Sequence, residues 1–140
     1  MPRSRTSKFK NDRLVFATLK KGTRPLSAYQ VMELLRDRGI SSPTVVYRAL
    51  GRLIRNGKVH RIESLNAYVA SIDPRTEAAS LFAVCCSCGK TEQVYDQVFA
   101  RQFRTWAQDH RFEVERASFE LRGRCNACAR VRAEPPECRV

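Results

Sequence analysis

The chain has 140 residues, of which 43% are hydrophobic and 29% are charged, and its formal net charge is +12. This is a globular composition, which excludes wholesale disorder, and the length suits one domain or two small ones. No apolar stretch is long enough to cross a membrane, and no apolar signal-peptide segment follows the basic first residues. We therefore expect a cytoplasmic protein.

The positive charge is concentrated in the first half of the chain. Residues 1–70 hold 15 Lys and Arg against 4 Asp and Glu, whereas residues 71–140 hold 11 against 10. A basic half joined to a neutral half indicates one module that meets an anion and another with a different task. The anion can be nucleic acid or a membrane surface, and a basic face can also be merely solvated. The charge favours nucleic acid, since no amphipathic segment supports membrane binding.

Two helices are predicted in the first third of the chain. The first covers Asp12 to Lys21 and has only a moderately clear apolar period. The second begins after Ser27, which can form a capping box with Gln30, and ends at Gly39. Its apolar positions fall on one face and are Ala28, Val31, Leu34 and Leu35.

A third helix follows a short turn. Ser42 can cap it, and Pro43 fits its first position, where a missing N–H costs nothing. One side of this helix is an apolar stripe of Val46, Leu50, Leu53 and Ile54. The other side carries Thr44, Tyr47, Arg48, Arg52 and Arg55. Two helices joined in this way, the second with a basic and aromatic face, are typical of a helix-turn-helix.

After Asn56-Gly57 the apolar period changes to that of a β-hairpin. Residues 58–62 and 67–70 are the predicted strands. A hairpin directly after a recognition helix is a wing, so residues 1–71 are predicted to form a winged-helix DNA-binding domain. Arginine on such a helix can pair with guanine, and Tyr or Thr can meet a thymine methyl group. The alternative is a three-helix domain with a solvated basic surface, and charge and pattern together favour DNA.

The second half is predicted to be a small strand–helix–strand domain over residues 79–130. A proline and the absence of an apolar period make residues 72–78 a hinge, and residues 131–140 a flexible tail that contains Pro135-Pro136. The core of such a small domain is modest, and pairing with a second copy would add to it.

Three elements are expected in this domain. Leu81–Cys86 is a buried strand, Asp96 caps a helix that runs to about His110, and Phe112–Arg124 is a strand with a bulge. The apolar stripe of the helix is Val98 or Phe99, Phe103, Trp106 and His110.

Four of the six cysteines form two CxxC pairs, which are Cys85 with Cys88 and Cys125 with Cys128. Two such pairs complete a tetrahedral Cys₄ zinc site with no open position, which is a structural site. Disulfides are the alternative, but an intracellular location disfavours them. A redox motif would need a CxxC that opens a helix in a βαβ setting, which we expect of neither pair. Cys86 and Cys138 receive no role.

The order of winged helix, wing and CxxC pairs resembles the ferric uptake regulator (Fur) family, and within it the zinc uptake regulator (Zur) branch. The resemblance covers about residues 10–130 and is carried by Ser27-Ala28-Tyr29, Val46–Leu50, Val59–Val69, Cys85–Gly89 and Cys125–Cys128. It implies an α+β homodimeric repressor in which a winged helix-turn-helix binds palindromic promoter DNA and a small α/β domain dimerises.

The resemblance also implies which residues meet DNA. Tyr29 and Arg48 stand where the zinc branch makes base contacts, and Tyr47 belongs to the recognition helix. Thr44 lies one residue earlier than the threonine of the family, which turns it by about 100° around the helix. The DNA-binding candidates are therefore Tyr29, Thr44, Tyr47, Arg48 and Arg52.

A second, regulatory metal site at the hinge is a further implication, built in the zinc branch from His, Cys, His and Glu. His60 stands at the first position, but Ser71 and Ala78 hold the next two, and Glu92 lies one residue early. A serine hydroxyl is a poor zinc ligand and alanine is none. We expect one structural zinc per protomer and weakened or lost metal sensing, with His60 and Glu92 as the remaining candidates.

Two alternatives stay open. A fully zinc-responsive repressor could rebuild the hinge site with Asp73, Glu77, Cys86 or Cys138. A zinc-stabilised module that binds nucleic acid without sequence preference would show a steep salt dependence on every sequence. An enzyme is not expected, because the H-x-E and P-C-x-x-C segments of zinc deaminases, a phosphate loop and a nucleophile elbow are all missing. We accordingly expect no small-molecule substrate.

Overall fold

A computed structural model describes residues 5–22, 24–72 and 80–131 of the chain. The chain divides into two compact units, unit 1 over residues 1–75 and unit 2 over residues 76–140. The predicted hinge at 72–78 and the predicted tail at 131–140 lie almost wholly outside the described residues. No helix in the described ranges is long and apolar enough to span a membrane.

The described part of unit 1 consists of three α-helices followed by a two-stranded hairpin. These are α1 (Arg5–Lys21), α2 (Ala28–Leu35), α3 (Pro43–Arg55), β1 (Val59–Ile62) and β2 (Ala67–Ala70). The strands are antiparallel and pair Val59 with Ala70 at one end and Ile62 with Ala67 at the other. This order confirms the predicted helix-turn-helix and wing.

Local capping signals fix the ends of α2. The Ser27 hydroxyl accepts a hydrogen bond from the Gln30 N–H at 3.2 Å, and the Gln30 side chain accepts one from the Ser27 N–H at 2.8 Å. After a 3-10 turn at Arg36–Arg38, Gly39 takes a φ of 88°, a left-handed conformation that suits glycine. The capping box and the glycine stop are therefore both confirmed.

The core of unit 1 is formed where α3 packs against α1 and α2. Val46, Leu50 and Leu53 of the predicted α3 stripe are buried, and Ile54 is only partly so. The predicted burial of Leu34 is wrong, because this side chain is 61% exposed. Met32 is buried instead, because it lies one helical turn after Ala28 and on the same face. Leu34 points about a third of a turn away from this buried face.

The start of α1 differs from the sequence prediction, because the helix begins at Arg5 and not at Asp12. Residues 6–10 are all exposed, and Phe9 is exposed to 67%. No apolar period marks these turns, whose side chains are exposed. The helix continues through them because this segment contains no glycine or proline.

In residues 80–131, the part that the structure describes, unit 2 is a three-stranded sheet with two α-helices. Its elements are β3 (Ser80–Cys85), β4 (Thr91–Val94), α4 (Gln97–Asp109), β5 (Ser118–Gly123) and α5 (Asn126–Arg130). The central strand β3 pairs antiparallel with β4 and parallel with β5. The Asp96 carboxylate accepts a hydrogen bond from the Phe99 N–H at 2.9 Å, which confirms the predicted cap of α4.

The sequence analysis missed one strand of unit 2 and placed the start of another strand too early. The short strand β4 was not predicted, because four residues that are half-buried or exposed give no clear alternation. The last strand begins at Ser118 and not at Phe112, which is 59% exposed outside the sheet.

The stripe on α4 is only partly confirmed. Phe99 and Phe103 pack against Phe119 at ring-centroid distances of 5.0 and 5.1 Å. Val98 is 65% exposed and Trp106 is 48% exposed, and the one fully buried residue of this helix is Ala107. Unit 2 therefore keeps an apolar face that its own described residues do not cover.

The capping box of α2 gives a direct test of local stability. Replacing Ser27 by alanine removes one hydrogen bond at the helix start and should lower the stability of unit 1 by about 1 kcal/mol. Ser42 is the matched control, because it precedes α3 in the same position but its side chain makes no capping hydrogen bond. Denaturant unfolding followed by circular dichroism should show a clearly larger loss for Ser27→Ala than for Ser42→Ala. Equal losses would contradict the assignment.

Candidate metal centre and nucleic-acid interface

The first CxxC pair is folded back on itself by a tight turn after β3. The Cys85 N–H donates to the Lys90 carbonyl at 2.8 Å, and the Gly89 N–H donates to the Cys85 carbonyl at 2.9 Å. Gly89 has a φ of 74°, which a residue with a side chain rarely adopts. The glycine that follows the pair thus allows the turn that returns Cys88 to the side of Cys85.

The second CxxC pair arrives beside the first because β5 runs parallel to β3. The end of β5 is joined to the first turn by a hydrogen bond from the Cys86 N–H to the Gly123 carbonyl at 2.7 Å. Two residues later, the Cys125 N–H donates to the Cys85 sulfur at 3.3 Å. Cys125 immediately precedes α5, so the second pair spans the start of this helix.

The four sulfur atoms of Cys85, Cys88, Cys125 and Cys128 lie within 4.8 Å of one another. All four thiols are free, so the disulfide alternative is wrong for them. Within residues 5–22, 24–72 and 80–131, no other set of three or more His, Cys, Asp or Glu side chains is close enough to hold one metal ion.

The thiols in this cluster differ strongly in acidity. Backbone N–H groups of Cys125 and Cys88 donate to the Cys85 sulfur and lower the pKa of Cys85 to about 6. Hydrogen bonds with the Cys125 and Cys88 side chains, together with burial, raise the pKa of Cys128 to about 12. The Cys85 thiolate therefore forms readily, whereas the Cys128 thiol resists deprotonation unless a cation compensates the negative charge.

The geometry fits zinc. Tetrahedral zinc with a Zn–S bond of about 2.3 Å requires sulfur atoms about 3.8 Å apart. The Cys88 and Cys125 sulfur atoms are 3.9 Å apart. Four thiolates leave no open coordination position, so an ion held here would be structural and would join the turn between β3 and β4 to α5.

The two candidates for a regulatory metal belong to different units. His60 is half-buried in β1, where it pairs with Val69. Glu92 is exposed in β4 and forms an ion pair with Lys90. Their role in metal binding stays a prediction.

The candidate DNA-binding residues lie on the exposed sides of α2 and α3. Tyr29 is 59% exposed on α2, and Tyr47 is 46% exposed on α3. Thr44 and Arg48 are also exposed, on the side of α3 that faces away from the buried stripe. The helices α2 and α3 that carry these side chains pack on each other.

Arg52 is placed differently from the other candidates. Its guanidinium is held by Asp12 of α1 through both carboxylate oxygens, and both side chains are partly buried. The partner was missed because no local pattern relates two residues that are 40 positions apart.

Gly51 is a second residue that the sequence analysis missed. It lies in the middle of α3, one turn after Tyr47 and one turn before Arg55. A methyl group at this position would meet no atom within 4 Å apart from the backbone of its own helix. Packing of the protein does not require this glycine, although glycine inside a helix costs about 1 kcal/mol. The sequence did contain a signal for this residue, because a glycine in the middle of a predicted helix usually has a reason in packing or in function.

Comparison with known proteins identifies the family to which this chain belongs. No family model matches the chain. The zinc uptake regulation protein of Escherichia coli (strain K12) is 33% identical over 118 residues, which cover 81% of this chain and 68% of that protein. This chain belongs to the Fur family, in its Zur branch. The zinc uptake regulation protein of Shigella flexneri has the same identity and coverage.

Solved structures agree with the Zur assignment. The crystal structure of holo XcZur matches with a TM-score of 0.77 and 29% identity, over 86% of this chain and 85% of that one. A zinc uptake regulator in complex with zinc and DNA gives a TM-score of 0.78 and 28% identity, over 85% and 81%. The ferric uptake regulator of Helicobacter pylori, at 16% identity and a TM-score of 0.62 over 89% and 83%, shares the fold. The predicted α+β fold class and the resemblance are both confirmed.

Replacing Cys88 by serine in this Zur-branch chain should open the metal centre. We expect the zinc content to fall from one ion per chain to a small fraction, because three thiolates hold zinc much more weakly than four. The only tryptophan of the chain, Trp106, lies in unit 2 and reports on its unfolding. Elemental analysis and tryptophan fluorescence are the measurements.

Ser87→Ala is the matched control for this variant, since Ser87 lies between the two cysteines of the same pair and is exposed. It should retain one zinc ion. A Cys88→Ser protein with a full complement of zinc and unchanged fluorescence would contradict the assignment of the centre.

Proposed function

We propose that this chain is a sequence-specific DNA-binding transcriptional repressor that acts in the cytoplasm as a homodimer stabilised by zinc. The observation that carries the proposal is the exposed face of α3, which presents Thr44, Tyr47 and Arg48 on the side opposite the buried apolar stripe. The structural match to a zinc uptake regulator bound to zinc and DNA supports it. Relatives that are regulators also support a function without catalysis.

The chemistry of this face suits the major groove. Arg48 can donate two parallel hydrogen bonds to a guanine, and the hydroxyl or methyl groups of Thr44 and the ring of Tyr47 can meet base edges. Tyr29, which is exposed on the preceding helix, adds a further candidate for a base contact. The bare backbone at Gly51 leaves room for a base edge or a sugar to approach the middle of α3.

Zinc is proposed as a structural component held by Cys85, Cys88, Cys125 and Cys128. Bound there, it neutralises thiolate charge and cross-links two segments that are far apart in the chain. Unit 2 needs this link because the described part of it buries few apolar side chains, namely Phe82, Val84, Cys85 and Ala107.

Dimerisation is proposed through unit 2. Its edge strand β5 carries Leu121, which is 58% exposed, and α4 leaves Val98 and Trp106 exposed. Exposed apolar side chains and an edge strand in the described part of so small a unit favour burial against a second copy. A twofold dimer would place two copies of α3 on a palindromic site.

The regulatory response to metal is proposed to be weakened or lost. At the hinge positions of the Zur branch this chain retains His60 but has Ser71 and Ala78, and its second histidine, His110, lies in unit 2 instead. A ligand shifts a conformational equilibrium only through its different affinity for the two states, so a site with few ligands gives zinc little influence. A fully zinc-responsive repressor with a rebuilt site remains the second candidate, supported by the holo form of XcZur among the structural matches.

Two variants of one residue test the proposed base contact. The operator is first obtained by selecting bound duplexes from a random library, and we expect an inverted repeat. Arg48→Ala should weaken operator binding by about 1–3 kcal/mol, because the two hydrogen bonds to one base are lost. Arg48→Lys keeps the positive charge but removes the planar guanidinium that donates two parallel hydrogen bonds. It should therefore lose operator affinity, while its affinity for a scrambled duplex stays unchanged. Fluorescence anisotropy measures both affinities.

Other outcomes would contradict the proposal. A selection that returns no consensus sequence would indicate the competing class, a module that binds nucleic acid without sequence preference. Equal losses of Arg48→Ala on operator and scrambled DNA would make Arg48 a phosphate contact and not a base contact.

A further inference from the structure

The ion pair between Asp12 and Arg52 joins two helices of unit 1 through three hydrogen bonds. The Arg52 Nε lies 2.9 Å from one carboxylate oxygen of Asp12 and 3.2 Å from the other, and Nη2 lies 2.7 Å from the second oxygen. The two side chains are only 28% and 18% exposed. This fork-on-carboxylate geometry holds both groups in one orientation.

The pair joins α1 to the recognition helix. Asp12 lies on α1 and Arg52 lies on α3, whose buried stripe already packs on α1. Apolar packing tolerates small sliding and rotation, whereas a bidentate ion pair requires its donors and acceptors to remain in register. The ion pair therefore restricts the small rotation of α3 that apolar packing still allows, and with it the direction in which Arg48 points.

The pair also changes the charge that α3 presents to DNA. Arg52 follows Arg48 by one helical turn, where two like charges repel each other. Asp12 compensates the charge of Arg52 and occupies its donors Nε and Nη2. To reach a DNA phosphate, Arg52 would have to leave Asp12 as a partly buried carboxylate without its cation, which is unfavourable.

We propose that Asp12 is a positioning residue for sequence readout, which orients the recognition helix through Arg52 and keeps this arginine away from DNA phosphates. An arginine that binds any phosphate strengthens binding to every sequence, and therefore lowers the ratio of operator to random affinity. Asp12 raises the ratio of operator to random affinity because it holds the guanidinium of Arg52 in an ion pair. The inference rests on the proposed function and replaces the expectation that Arg52 contacts DNA directly.

Asp12→Asn tests the inference in the full-length protein. The amide keeps the shape of the side chain but not its charge, so Arg52 is released. Binding to a scrambled 30-base-pair duplex should tighten, and the slope of log affinity against log salt should become steeper by about 0.9 for each Arg52 that reaches a phosphate. At 0.1 M salt one such contact corresponds to roughly a fivefold to tenfold gain on scrambled DNA. The ratio of operator to scrambled affinity should fall.

Two further variants separate positioning from general stability. Asp12→Glu keeps a carboxylate and should restore the wild-type salt slope. Arg52→Ala should reduce operator affinity, because α3 is less well fixed, while leaving the salt slope on scrambled DNA at the wild-type value. Arg52→Ala still tests the inference if the Asp12→Asn protein does not fold. Thermal melts establish that each protein is folded at the temperature of the binding measurement.

Two results would overturn the inference. One is an Asp12→Asn protein with unchanged salt slope and unchanged operator preference. The other is an Arg52→Ala protein whose salt slope on scrambled DNA falls by about 0.9 per site, which would show that Arg52 already binds phosphate. A wild-type protein that selects no operator would instead remove the proposed function, and the positioning role with it.

Discussion

The packing of α3 against α1 and α2 is the interaction on which the rest of unit 1 depends. Val46, Leu50 and Leu53 are almost completely buried, so the rotation of this helix is set to within the tolerance of apolar packing. Because a helix is rigid, burying one side determines that Tyr47 and Arg48 face outwards. The same core accepts Val59 and Tyr68 of the wing, which places the hairpin beside the recognition helix. The Asp12–Arg52 pair then adds the directional contact that apolar packing lacks.

Unit 2 is held together differently. The part of it that the structure describes has a small core, an aromatic group on α4 and β5, and four converging thiols. A strand end, a tight turn and the start of α5 meet at these thiols, where hydrogen bonds to sulfur favour only part of the deprotonation that a metal requires. A cation at this point contributes stability that the apolar core does not supply. DNA contact and metal binding are therefore assigned to separate units with separate sources of stability.

Much of the fold could be predicted because its signals are local. The capping box of Ser27 and Gln30, the proline at the start of α3 and the spacing of the CxxC pairs each act within a few residues. The early start of α1, the short strand β4 and the exposed Leu34 were missed, because in each case the sequence carries no apolar period or an ambiguous one. The partner of Arg52 was missed for a different reason. Asp12 meets it only through the packing of α1 on α3, which no local pattern encodes.

Zinc content measured together with operator affinity tests the account most directly. The purified protein is assayed for zinc per chain by elemental analysis, before and after a competing chelator and after added zinc. Operator affinity is measured in the same samples. The account predicts one ion per chain that resists the chelator, and an operator affinity that added zinc does not change. A second, exchangeable zinc ion that raises operator affinity would contradict it, and would identify a working zinc-responsive repressor with a rebuilt hinge site.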